Sequence, residues 1–223
     1  MSGRGVRPEF QVLGFPSRAE LVRRLPRLLV GIVCLGIGIS LMVQARLGLS
    51  PWDVLHQGIS EQTGLEFGTV VIVLGLAILP FWVPLGQRFG IGTVINVLTV
   101  GVVVNLTIHA LPVTNALVPR WGYLLGGILV IGFGTGLYIG AGLGPGPRDG
   151  LMTGIAAKGP RLWIVRTCIE LTVLCVGWIL GGDVGIGTLL FAFGIGPLAH
   201  YFLARLHLGV GGLDPDPDAA YGE

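Results

Sequence analysis

Few residues in this 223-residue chain can carry charge through an apolar environment, and three carboxylates stand out among them: Asp53, Asp149 and Glu170. Asp53 follows Ser50 and Pro51 and precedes His56, while Asp149 follows Pro147 and Arg148. A carboxylate inside a membrane is costly and usually lines a functional path, so these groups are candidates for binding a cation, a proton or a cationic solute. Each also has a structural explanation. Ser50, Pro51 and Asp53 fit the N-cap, first and third positions of a helix, where an acid offsets the helix dipole. Gly146 stands where a second cap would be, leaving Asp149 without a serine partner. Arg166 lies four residues before Glu170, so an ion pair along one helix face accounts for that acid equally well. The candidate substrate, proton or cation residues are therefore Ser50, Pro51, Asp53, His56, Pro147, Arg148, Asp149 and Glu170.

The segments that carry them are related. Gly36–Ile59 recurs 96 positions later as Gly132–Ile155, with 11 of 24 aligned residues identical, Pro51/Pro147 and Asp53/Asp149 among them. Gly90-Ile-Gly-Thr93 recurs as Gly185-Ile-Gly-Thr188 at an offset of 95. The chain reads as two copies of one unit of roughly 80–95 residues. Charged residues make up 12% of it, about half the share in a soluble domain. Long uncharged runs, such as Leu28–Ala45, Phe67–Gln87 and Trp121–Pro147, are long enough for a spanning helix, which needs at least ~17 residues. The expected fold is an all-α polytopic membrane protein. Its two internal repeats each hold about three spanning helices and a short broken or re-entrant helix.

The expected order is a cytoplasmic segment over 1–27, a first repeat over 28–112, a linker over 113–120, a second repeat over 121–205 and a disordered tail over 206–223. Ser17 and Glu20 fit a capping box opening a short amphipathic helix, Arg18–Leu25, with Arg18, Arg23 and Arg24 at the headgroups and Pro26 ending it. Leu47–Pro51 and Leu143–Pro147 break the helices that precede them. The short helices that follow, to about Thr63 and Ala157, are too short for the ~30 Å core. If both re-enter, six spans form inverted repeats with both termini in the cytoplasm. If both cross, eight spans form parallel repeats. Basic residues favour the inverted form by one. Six arginines precede the first span and place the N-terminus inside.

Other polar residues point to packing. Asn96 and Asn105 suit interhelical hydrogen bonds, Gly132, Gly136 and Gly140 form a small-residue ladder, and Cys34, Cys168 and Cys175 read as inert core thiols. The chain has no metal-ligand spacing, phosphate loop or nucleophile signature. No enzyme activity, cofactor or metal is expected. The weak net charge of +2 gives no nucleic-acid footprint.

At Gly48-Leu-Ser-Pro-Trp-Asp53, its echo Gly144-Pro-Gly-Pro-Arg-Asp149 and the two Gly-Ile-Gly-Thr turns, the chain resembles the YczE/YyaS/YitT group of bacterial membrane proteins. The resemblance covers about Leu28 to Leu206 and is closest to the YczE branch, where Gly-x-x-Pro-x-Asp is typical. It implies a multi-pass plasma-membrane protein of a group often described as transporters or exporters, and it supplies no catalytic residues and no substrate.

Helices broken at matching places in two halves point to a transporter's binding site. The expectation is a small-molecule secondary transporter or exporter, open to proton coupling, with a midplane site between the two breaks. Its partners are membrane lipids, an unidentified solute and, given the small chain, a second copy in a homodimer. The alternative is a membrane scaffold or accessory protein that moves nothing.

Overall fold

Two helix breaks and two glycine-rich turns hold the chain together by trading hydrogen bonds. A computed structural model describes residues 18–206, which form eight helices: α1 (Arg18–Ala45), α2 (Pro51–Thr63), α3 (Phe67–Trp82), α4 (Ile91–Ala110), α5 (Leu117–Gly140), α6 (Pro147–Ala156), α7 (Leu162–Ile179) and α8 (Ile186–Leu206). Among the described residues there is no strand. Five helices, α1, α4, α5, α7 and α8, are long and apolar enough to cross a membrane. A sixth crossing arises if α2 and α3, bent by 113° at a short break, are taken as one.

The helix directions follow from their contacts. Ser40 Oγ donates to the Val104 carbonyl (3.1 Å) and Gln44 Nε2 to that of Ile108 (3.2 Å), so α1 and α4 run parallel. Gly31 backs onto Gly134 and Tyr138 while Gly38 backs onto Gly127, so α5 runs against α1. Gly132 meets Leu198 and Gly136 meets Phe202, which makes α8 parallel to α5. Arg120, early in α5, donates from Nε to the Ala45 carbonyl (2.8 Å) and from Nη2 to that of Arg46, capping the end of α1.

The core follows these contacts. Leu28, Ile32, Met42, Leu124 and Val104 are fully buried between α1, α4 and α5. A second cluster joins Trp52, Leu55, Trp82, Met152 and Val173 from α2, α3, α6 and α7. Here α2 packs against α7, with Gly58 and Gly177 in close contact, and α6 packs against α3.

Several expectations need correction. Pro26 does not end a separate helix; α1 continues through it. Leu21, Leu25, Leu28 and Ile32 form one packed line, and Pro26 lies on the exposed side where a missing N–H costs little. Arg24 is buried and paired with Glu20 (3.3 Å). Ser17 lies outside the described residues, as do 1–16 and the tail after Leu206. The linker expected over 113–120 is shorter, because α5 begins at Leu117. Pro119 is tolerated in the first turn, where its N–H would have had no partner. The α3 helix stops at Trp82 rather than Gly86, past Pro80 and before Pro84. Cys168 and Cys175 are exposed, not core. They share a face, but it is the outward face of α7.

Candidate functional site

The first break turns at Gly48 (φ 107°) and the second at Gly144 (φ 126°), both in backbone regions that favour glycine. Each break docks on a helix start from the other half of the chain. The Leu47 carbonyl accepts from Gly187 N–H (2.7 Å) at the start of α8. The Leu143 carbonyl accepts from Gly92 N–H (2.8 Å) at the start of α4. Thr93 Oγ1 adds a bond to the Pro145 carbonyl (2.7 Å). Thr93 and Thr188 also take the N–H groups of Gly90 and Gly185, so each Gly-Ile-Gly-Thr turn caps its own helix while holding the opposite break.

The α2 start is a buried polar knot. Ser50 is the N-cap, Pro51 opens the helix, and Ser50 Oγ accepts from Asp53 N (3.3 Å) and donates to Asp53 Oδ2 (2.5 Å). His56 Nδ1 lies 3.3 Å from Asp53 Oδ1, and its ring meets Phe67 edge-on. Asp53 is 3% and His56 5% exposed, so the second carboxylate oxygen and the imidazole face each other with almost no contact with solvent. An acid and a base in such contact can share or pass a proton.

The α6 start differs. Gly146 supplies no side-chain cap, and the Asp149 carboxylate is exposed and makes no hydrogen bond or ion pair among the described residues. Asp149 therefore does not cap the α6 backbone. Arg148 does not pair with it either; its guanidinium lies 5.9 Å from the centre of the Trp52 ring. Trp52 and Arg148 are themselves 96 positions apart, so equivalent residues of the two helix starts face each other. The Pro147 carbonyl accepts from the Trp82 indole N–H (3.1 Å), tying α6 to the end of α3.

Glu170 makes the expected pair, with Arg166 Nε 3.0 Å from Oε1. It also lines a cavity of about 230 Å³ with Pro51, between α7 and α8. The structure thus brings Ser50, Asp53 and His56 together, sets Arg148 against Trp52, joins Pro51 to Glu170 across a cavity, and leaves Asp149 apart.

A second, larger opening of about 470 Å³ escaped sequence reasoning as a site. It is lined by Gln44, Arg46, Gln57, Glu61 and Asp183 at the end of α1. Gln57 and Asp183 make two bonds, Nε2 to Oδ2 (3.0 Å) and Asp183 N to Oε1 (2.8 Å). Gln57 lies one turn beyond Asp53, so this polar mouth sits next to the buried knot. Its residues come from separate segments with no shared spacing.

The matches among known proteins are consistent with this membrane architecture. Residues 22–204 match the model of a family of unknown function, DUF6198. The uncharacterized membrane protein YczE of Bacillus subtilis (strain 168) is 34% identical over 191 residues, covering 84% of this chain and 89% of the relative. The uncharacterized protein YyaS of the same organism is 31% identical over 180 residues, covering 78% and 89%. An uncharacterized protein of Haemophilus influenzae is 42% identical over 177 residues, covering 79% and 81%. No solved structure matches the chain. This is a helical membrane protein that belongs to the DUF6198 family and is similar to YczE and YyaS.

Proposed function

We propose that the chain is a small secondary transporter of the bacterial plasma membrane, built from two inverted repeats with both termini in the cytoplasm. The observation that carries this reading is the meeting of the two helix starts, with Trp52 of one and Arg148 of the other 5.9 Å apart. Helix starts present unpaired N–H groups and positive dipole ends, and paired broken helices of this kind hold solutes and ions in known transporter folds. The exchange of break and turn between halves, and the opposed directions of α1 and α5, support the inverted form.

In this reading α2 and α6 enter and return, and α1, α3, α4, α5, α7 and α8 cross. The Asp53–His56 pair is the proton site, and the polar mouth at Gln57 and Asp183 is the route to it. Alternating access comes from unequal packing of the halves: α3 lies tightly on α4, whereas α7 packs on α2 and α6 and stands off from α8. The reverse state has α7 moved and turned onto α8.

A second reading, a scaffold that moves nothing, draws on the Ser50 cap and the Arg166–Glu170 pair, which satisfy those groups without any solute. Uptake into proteoliposomes under an imposed pH gradient separates the two. The panel is amphipathic and cationic compounds, and wild type is run beside folded Asp53→Asn, Asp149→Asn and Glu170→Gln chains. Gradient-driven uptake lost in Asp53→Asn and kept in Asp149→Asn is the expected outcome. Uptake unaltered by Asp53→Asn refutes the proton site, and variants that differ only in thermal stability favour the scaffold.

A further inference from the structure

The gap between α7 and α8 has no counterpart between α3 and α4. A methyl added at Gly101 of α4 would lie 2.1 Å from the Gly68 carbonyl oxygen of α3, so those backbones touch. Gly196 of α8, at the offset of 95, has nothing within 4 Å of that position. The space left open is the cavity of about 230 Å³, walled by apolar side chains such as Leu174, Leu189 and Phe193. It is smaller than the ~300 Å³ at which drug-sized pockets begin, and suits one hydrocarbon chain or a small ring.

One charged side chain lines it among the described residues, Glu170, near the middle of α7. Arg166 holds Oε1, and Oε2 accepts no bond among the described residues. In α3 the residue 96 positions earlier is Leu74. The carboxylate therefore occurs only where the helix pair stands open. Arg166 meets one oxygen of that carboxylate, and a cationic or hydrogen-bonding group on the other would offset more of the cost of holding it beside an apolar cleft. Phe193 is 80% exposed and Leu189 55%, so the cleft opens toward the surrounding hydrocarbon.

We propose that the α7–α8 cleft binds a small amphipathic amine drawn from the bilayer, with its ammonium on the free oxygen of Glu170 and its hydrocarbon part between the two helices. This rests on the transport reading for its role and names the substrate class. Binding itself needs no flux, so the two can fail separately.

The test uses thiol protection in the full-length chain with Cys34, Cys168 and Cys175 changed to Ser. Ala192→Cys places a thiol in the cleft, and Ala77→Cys places one on the outer face of α3 as a control. Maleimide labelling is followed with octylamine, octanol or octanoate present. Octylamine at ten times its dissociation constant is expected to slow labelling at position 192 about tenfold and to leave position 77 unchanged. Octanol and octanoate are expected to give no protection. Glu170→Gln is expected to abolish protection by octylamine, measured against the unprotected labelling rate of that same variant. Protection by all three probes, slowing at both positions, no protection by octylamine, or protection that survives Glu170→Gln each overturns the proposal. Protection without flux in the liposome assay keeps the site and refutes transport.

Discussion

Changing Gly101 and Gly196 to Ala, one at a time, measures the unequal packing of the two halves. Each glycine is the eleventh residue of its helix. At Gly101 the new methyl would sit 2.1 Å from a backbone carbonyl oxygen, where even a close C–H···O contact needs about 3.3 Å. The two helices must part by about 1 Å, and neither side can give way by rotating a side chain. Overpacking of this kind costs about 1–3 kcal/mol, and two backbones place it at the upper end. Alanine returns about 1 kcal/mol through helix propensity, which leaves a net loss of about 2 kcal/mol. At Gly196 nothing is displaced, and Pro197 offsets part of the propensity gain, so the net change is close to zero. Unfolding by a denaturing detergent, followed by circular dichroism in one mild detergent, reads both. Equal stabilities for the two variants would refute the close α3–α4 contact and, with it, the difference between the halves.

Three further outcomes follow from the site. Ser50→Ala removes a helix cap worth about 1 kcal/mol and leaves a buried Asp53 oxygen unpartnered at about 1–3 kcal/mol, so the same unfolding assay should show a loss of about 2–4 kcal/mol. Gly146→Ser, at the matching position of α6, should change stability by a few tenths of a kcal/mol at most, because glycine is already a fair cap. Arg120→Gln strips two bonds from the end of α1, one to Ala45 and one to Arg46. It should cost about 1.5–3 kcal/mol in the same measurement.

The local elements were legible because their causes are local. Ser50, Pro51 and Asp53 announce a helix start, Gly64 (φ 73°) ends that helix in the left-handed region, and the 96-residue offset locates the second break. The Arg166–Glu170 pair follows from spacing alone. What the sequence hid depends on contacts between distant segments. Repetition marks Gly90–Thr93 and Gly185–Thr188 as equivalent but does not reveal that each caps a helix beneath the other half's break. Identity at Asp53 and Asp149 suggests equal roles, yet Ser50 and His56 enclose the first while Gly146 and Met152, at the matching positions, leave the second exposed. The cysteines looked like core because both the lipid-facing and the buried sides of a spanning helix are mostly apolar, so composition cannot separate them.

In the proposed transport cycle, a solute crosses as α7 closes onto α8 much as α3 already lies on α4. A Cβ added at Gly75 of α3 would lie 3.8 Å from Val97 Cβ of α4, within the ~3.5–4.5 Å span of a disulfide, and the residues at the matching offsets are Leu171 and Ala192. A chain with Leu171→Cys and Ala192→Cys, and Ser at positions 34, 168 and 175, can therefore be bridged when α7 lies on α8. Uptake of the compound panel into proteoliposomes would be followed before oxidation, after it and after reduction. Flux is expected to be lost as the bridge forms and regained when it is reduced. Failure to form the bridge, equal flux with and without it, or no flux in the unbridged chain would contradict this cycle.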